Sequence, residues 1–400
     1  MFIDLLSWEF LLFSAFAIIL VASSTGPVRT VGFLGANIAF IFALLGPIGL
    51  ASTLFFSGLG WGLTRVHLTA SRWAAILSAT LLVLVFIYML DYEFLGLFLP
   101  DAARLSFLQT VGLSFLLFRI LHVMIDARSG VIDRIDPAVY PNYLLAFSTF
   151  MMGPIQRYQD FRDQWADRTQ AIEMTYEAHL DAGLRILWGL VKVYVIGTFI
   201  FRFALQPNTD VLALSLGEFW LQLVAFYFFL YMNFSGYCDV VIGIGSLMGI
   251  RPPENFNNPY FAQNIADFWL RQHRSLTLWL TDYVFNPVYK KALSSSSFAS
   301  LPLAAGIIAA MLTMLVSGLW HGTTIGFLIF GLVHGTWLAI YRIWDHVLVA
   351  RLGKKRLRKI RASWPGRVVG MAITLHAAAF AFLFFQLDTP SVVALLKGLL

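Results

Sequence analysis

The chain is short of charge. Only 12% of its 400 residues are Asp, Glu, Lys or Arg, about half the ~25% of an ordinary soluble domain, and this excludes a water-soluble globular protein. It holds one cysteine, Cys238, so an intrachain disulfide and a cysteine-built metal cluster are excluded as well. No phosphate-binding glycine loop is present: Gly243, Gly245 and Gly249 lie in an apolar run without any βαβ pattern and are suited to close helix contact instead. Internal repeats and inverted duplications of the transporter kind are not visible. The first apolar run has no basic residue before it and no clear small-residue cleavage site, so a retained helix is expected there and not a cleaved leader.

What the chain does contain is hydrocarbon. Apolar residues make up 59%, and the mean hydropathy is +0.75. Apolar stretches fall near 9–24, 31–57, 73–91, 106–125, 140–153, 182–205, 211–233, 237–250, 301–319, 323–346 and 368–387. They approach the ~20 residues that cross a bilayer as a helix and exceed the ~10 of a barrel strand. The expectation is an all-α polytopic membrane protein, a single domain over 1–400, with roughly nine to eleven transmembrane helices. Its net charge of +6 is local: Arg351, Lys354, Lys355, Arg356, Arg358, Lys359, Arg361 and Arg367 share one short stretch. That stretch reads as a cytoplasmic loop anchored beside anionic lipid, not as a nucleic-acid site, and makes the chain a multi-pass protein of the cell (inner, cytoplasmic) membrane.

One segment does not belong against lipid. Residues 252–291 carry Glu254, Asn255, Asn257, Asn258, Asp267, Arg271, Gln272, His273, Arg274 and Asp282 among Phe268, Trp269, Trp279 and Tyr283. Its polar groups would go unsatisfied in hydrocarbon. A surface amphipathic helix, or a re-entrant segment lining a water-filled tunnel, accommodates it. Steps of three and four between Ile265, Phe268, Trp269, Leu276, Leu280 and Tyr283 predict an amphipathic helix over 265–283, with Trp269, His273 and Thr277 along one stripe.

A second histidine, His321, closes the apolar run that starts at 301, in Trp320-His321-Gly322. A titratable ring at that depth faces a polar cavity or a partner group. Taken alone, His321 would most simply cap helix carbonyls, and His273 would be an interfacial residue. His334 reads as bundle packing, His122 and His346 as interfacial, and His67 as a loop residue near Arg65. Asp239 and Asp282 suit either a dyad with a histidine or a structural ion pair with Arg271 or Arg274.

Taken together, Asn233-Phe-Ser-Gly-Tyr-Cys-Asp239, Pro253-Glu-Asn-Phe-Asn257, Pro259-Tyr260, Phe268-Trp269, His273, Trp279, Asp282-Tyr283, Trp320-His321-Gly322 and His334-Gly335 closely resemble the membrane-bound O-acyltransferase family. Gly153-Pro-Ile-Gln-Arg-Tyr158 matches its upstream signature. The likeness covers about 100–345 and is nearest the bacterial branch that O-acetylates alginate and other polysaccharides or carries D-alanine towards teichoic acids. The chain departs from the family pattern at Leu270-Arg271-Gln272 before the first histidine and at Thr281.

The resemblance implies an integral membrane acyltransferase with a tunnel and two catalytic histidines, which fall on His321 and His273. Asn233, Tyr237, Asp239, Trp269, Trp279, Asp282 and Trp320 become substrate-binding candidates, and no metal or tightly bound cofactor is implied. The co-substrate would be an acyl thioester, either acyl-CoA or an acyl carrier protein, on the cytoplasmic side. Its partners would be an extracytoplasmic acyltransferase or glycan acceptor, and membrane lipid. The expected reaction moves an acyl group, acetyl in the first instance, to a hydroxyl of an envelope polysaccharide or relay protein. D-alanyl transfer is the alternative within that chemistry, and a transporter or flippase is the alternative from another class. A neutral imidazole suits deprotonation of the attacking hydroxyl; His321 is assigned that role, and His273 that of orienting or polarising the thioester.

Overall fold

The computed structural model describes residues 6–69, 71–100, 104, 112–166, 175–206, 209–211, 213–296 and 298–399, and among them every regular element is helical. In chain order the helices are α1 (Trp8–Ser23), α2 (Gly26–Thr69), α3 (Arg72–Leu90), α4 (Leu113–Arg128), α5 (Val139–Leu145), α6 (Phe147–Phe150), α7 (Tyr158–Ala166), α8 (Tyr176–Phe201), α9 (Leu216–Leu247), α10 (Ile265–Arg271), α11 (Arg274–Leu280), α12 (Asn286–Leu293), α13 (Pro302–His321), α14 (Ile325–Leu352), α15 (Lys354–Ala362), α16 (Trp364–Gln386) and α17 (Thr389–Leu399). Seven of them, α2, α3, α8, α9, α13, α14 and α16, are long and apolar enough to cross a membrane. The chain is therefore a polytopic helical membrane protein.

The bounds of the apolar stretches shift for identifiable reasons. The runs 211–233 and 237–250 form one helix, α9, because Ser235 and Gly236 between them do not stop a buried helix. The stretch 31–57 lengthens to 44 residues and breaks at Gly46 (φ 68°), where Pro47 follows. At ~1.5 Å per residue each arm is about 30 Å or more, enough to span the hydrocarbon core by itself. The start of 106–125 lies outside the described residues; its remainder is α4. The basic stretch is not a loop: six of the nine residues of α15 are Lys or Arg, good helix formers, and Gly353 (φ 73°) sets the turn before it.

Backbone contacts group the chain into two units, 1–195 with 233–253, and 196–232 with 254–400. In the first, the stretch 140–153 is broken at Ala146 (φ −48°, ψ 105°) into the short helices α5 and α6. Broken backbone at membrane depth needs other partners, and Arg119 supplies them. Its fully buried guanidinium donates to the carbonyls of Tyr143 (2.9 Å), Leu144 (2.7 Å) and Thr149 (2.8 Å) and to Thr149 Oγ1 (2.6 Å). Asn37 Oδ1 accepts from Phe147 N–H at the break itself.

His122, expected at the interface, is buried instead. Its Nε2 accepts from the backbone N–H of Tyr158 (2.8 Å), and its Nδ1 meets Asp126 (3.1 Å). It thereby fixes the end of the 153–158 motif. His67 is likewise buried, bonded through Nδ1 to Ala75 O (2.9 Å).

In the second unit an aromatic core forms from Tyr227, Phe268, Trp269, Phe330, Phe382 and their neighbours. Here α13 and α14 pack backbone to backbone. A Cβ at Gly318 would lie 2.4 Å from Phe327 O, so only glycine permits this approach. The hairpin between them is equally tight: a Cβ at Gly322 would lie 2.1 Å from the Phe327 ring. This packing sets where the last residue of α13, His321, stands.

Candidate active site

The polar segment is not one helix: after α10 the chain breaks at His273 and is then helical over 274–293. The amphipathic helix expected over 265–283 is interrupted at His273, which adopts the left-handed conformation (φ 47°, ψ 51°), so α10 ends at Arg271 and α11 begins at Arg274. The single stripe through Trp269, His273 and Thr277 does not exist. Side-chain hydrogen bonding overrides the periodicity. Asn255 Oδ1 accepts from Ser275 N–H (3.2 Å), Ser275 O–H (2.8 Å) and His273 Nδ1 (3.1 Å). Asn255 O accepts from Arg274 N–H (2.8 Å), and Asn257 N–H donates to Arg271 O (2.9 Å). A non-glycine residue at positive φ costs about 1–3 kcal/mol, and this clasp offsets it.

The clasp also settles a tautomer. An atom accepting from the Ser275 N–H is the amide oxygen, which has no proton to give, so His273 Nδ1 is the donor in their bond. In its neutral form the His273 ring therefore keeps its lone pair on Nε2.

His273 is 4% exposed, and its ring centre lies 6.2 Å from that of His321. Trp320 flanks both, at 5.8 Å from His273 and 4.9 Å from His321. Phe330 (5.5 Å) and Phe385 (5.0 Å) stand edge-on to His321 and complete an aromatic collar. His321 is partly exposed. Rings at this separation are too far apart for a direct N–H···N bond of about 3 Å, yet close enough for one substrate atom to reach both.

The remaining candidates divide between the units. In the second, Trp269 and Trp279 are buried, and Asp282 is exposed. Trp269 packs against His334 (4.8 Å) and Phe330 (6.4 Å), and its Nε1 has no hydrogen-bond partner. His334 lies within the aromatic core, as packing required: it stacks on Phe268 and meets Phe330 at 4.6 Å, with both ring nitrogens unbonded. Arg271 pairs with Asp267 (2.8 Å).

In the first unit, Asn233, Tyr237 and Asp239 follow one another along α9. Asn233 is 1% exposed with neither amide atom hydrogen-bonded. Tyr237 is buried. Asp239 forms an ion pair, but with partners other than Arg271 or Arg274: Lys192 Nζ lies at 2.6 Å and Arg185 Nε at 3.1 Å.

Asn255 is the site residue that sequence reasoning passed over. It stands inside a quoted motif, yet no periodicity marks an asparagine whose role is to bend the chain around a histidine. Phe385 was missed too, because it lies 64 residues beyond His321 on another helix.

The architecture and the imidazole pair define a polytopic helical membrane protein that holds two histidines side by side among aromatic rings. The comparisons make that class specific. Residues 75–385 match the model of MBOAT, the membrane-bound O-acyltransferase family, and the chain belongs to this family. Among its relatives, the probable alginate O-acetylase AlgI of Azotobacter vinelandii is 35% identical over 59% of this chain and 45% of its own. The teichoic acid D-alanyltransferase of Bacillus subtilis is 28% identical over 72% of this chain and 70% of its own. The peptidoglycan O-acetyltransferase of Helicobacter pylori is 32% identical over 65% of this chain and 46% of its own. The matched region thus spans under half the length of the alginate and peptidoglycan relatives.

Proposed function

We propose that the chain transfers an acyl group from a thioester to a hydroxyl of an envelope polymer, or of a protein that relays it, with His321 as general base. The observation that carries this reading is the His273–His321 pair, 6.2 Å between ring centres inside the Trp320, Phe330 and Phe385 collar. The hydroxyl proton passes to His321 as its oxygen attacks the thioester carbonyl carbon. The tetrahedral intermediate then expels the thiolate, which takes that proton back, so the imidazole is regenerated. A positioned base of this kind contributes about 10²–10⁴-fold.

Of the two roles the sequence offered His273, the hydrogen bonding of its ring favours orienting the substrate over polarising the thioester carbonyl. With Nδ1–H committed to Asn255, its neutral ring has no proton to offer a carbonyl; it acts as an acceptor that holds an O–H or N–H of the bound substrate beside His321. The apolar collar supports the chemistry by keeping competing water from the thioester. The donor enters from the cytoplasm, where acyl thioesters are made, and the acceptor meets it on the far side through a tunnel. That sidedness rests on the basic α15 facing the cytoplasm. The relatives' names support O-acetylation of a polysaccharide. D-alanyl transfer is the second reading, favoured by one observation: the alignment covers 70% of the Bacillus subtilis D-alanyltransferase against 45% of the alginate protein.

The test is transfer from labelled acetyl and D-alanyl thioesters in proteoliposomes. His321→Ala should abolish it while detergent elution and melting stay as in the parent. Retained transfer removes the catalytic assignment, and transport of polymer without transfer would favour a flippase.

A further inference from the structure

A concave feature lies in the same unit: a cavity of about 800 Å³ walled by α14, α15 and α16, with Trp220 of α9 and with Gln263, Asn264 and Ile265 at the start of α10. None of His273, Trp320, His321 or Phe385 lines it. Its shape is a groove. Along α16 the lining runs from Gly366 to Phe380 and along α14 from Trp337 to Leu348, or about 21 Å and 16 Å at ~1.5 Å per residue. One leaflet of hydrocarbon is about 15 Å deep, half of the ~30 Å core. The groove is therefore long enough to hold one extended acyl chain.

The two ends differ chemically. The walls are apolar and open sideways: Ile340, Trp344, Val369 and Ile373 are each at least half exposed. At the other end stands α15. Its Leu357 and Ile360 face the groove, and Arg361 at the rim bonds Asp345 (2.6 Å) and lies over the Tyr341 ring (5.8 Å). The other five basic residues of α15, Lys354, Lys355, Arg356, Arg358 and Lys359, make no ion pair with a described residue. Ordinary lipid-facing helices present convex apolar surface. Here a chain-length apolar groove ends against α15, whose five uncommitted cations stand next to the lining residues Leu357, Ile360 and Arg361 without lining the groove themselves.

We infer that this groove is a binding site for an anionic glycerophospholipid, with one acyl chain along α14 and α16 and the phosphate on the basic residues of α15. The site is independent of the acyl-transfer reading. A zwitterionic lipid would leave the cluster uncompensated, and a purely electrostatic contact with the bilayer would leave the groove without a role.

Native mass spectrometry of the full chain in detergent tests this, with phosphatidylglycerol or phosphatidylcholine of identical chains added. Two kinds of variant separate charge from groove: Lys354, Lys355, Arg356, Arg358 and Lys359 all →Gln, and Ala377→Trp, which fills the groove. Ile373→Trp, at an exposed wall position, substitutes should Ala377→Trp not fold. The expected result is at least five-fold preferential retention of phosphatidylglycerol by the parent, lost in both kinds of variant. Equal retention of the two lipids overturns the proposal. So does a preference that survives filling of the groove, displacement by millimolar inorganic phosphate as effective as by lipid, or preferential capture of a long-chain acyl thioester.

Discussion

Replacing Asn255 by Ala tests the link between backbone geometry and chemistry. One carbonyl oxygen there serves three donors: Ser275 N–H, Ser275 O–H and His273 Nδ1–H. The serine hydroxyl can rotate to another acceptor, so two donors with fixed directions lose this acceptor in a buried site. At about 1–3 kcal/mol for each unsatisfied donor, the loss is about 2–6 kcal/mol. The left-handed turn at His273, itself strained by about 1–3 kcal/mol, is then held only by the backbone bonds from Arg274 N–H to Asn255 O and from Asn257 N–H to Arg271 O. The cost falls on the junction of α10 and α11 and not on the long helices, so the chain should still insert in the membrane. The turn relaxes, and the ring loses both its direction and its tautomer. A loss of about 2.7 kcal/mol from the transition state is already 100-fold in rate, so transfer in proteoliposomes should fall by about 10² or more, with elution in detergent unchanged. Asn255→Asp keeps an acceptor but sets a carboxylate beside the ring. This favours the imidazolium, so the neutral form is reached only at higher pH, and the rising acid limb of the rate profile should move upward. If Asn255→Ala retains transfer within about three-fold of the parent, the argument that this clasp shapes the site is refuted.

Three further outcomes follow from the packing. Gly318→Ala forces α13 and α14 apart, since its Cβ would lie 2.4 Å from Phe327 O; overpacking of this kind costs about 1–3 kcal/mol, read as a lower melting temperature with reduced transfer. Arg119→Lys should destabilise the first unit even with its charge kept, because a point ammonium does not reproduce the fork that reaches Tyr143, Leu144 and Thr149; unchanged proteolysis of this region would contradict that role. Asp239→Ala leaves Lys192 and Arg185 facing each other without their shared carboxylate, a loss of about 3 kcal/mol for partly buried charges. Asp239→Asn should do less harm, and equal melting curves for all three proteins would show that the ion pairs contribute nothing.

The sequence by itself determined the solvent and hence the class of fold. With so few charges, and apolar runs longer than barrel strands, the backbone is satisfied in a bilayer as helices, and this holds wherever the helices pack. It also supplied His273 and His321, because residue types in spaced motifs survive without coordinates. It misplaced what depends on hydrogen bonds between distant residues. Periodicity drew one helix through His273, where Asn255 bends the chain; it set His122 at the interface, where Asp126 and the Tyr158 N–H hold it inside. Of the alternatives the sequence left open for Asp239, a histidine dyad or a pair with Arg271 or Arg274, the structure shows neither, because Lys192 and Arg185 hold the carboxylate. Apolar patterning is a local property, summed along the chain and legible in it. The tilt of an imidazole, the donor that a carbonyl accepts and the 6.2 Å between two rings are set by groups far apart in the chain, so only the tertiary structure decides them.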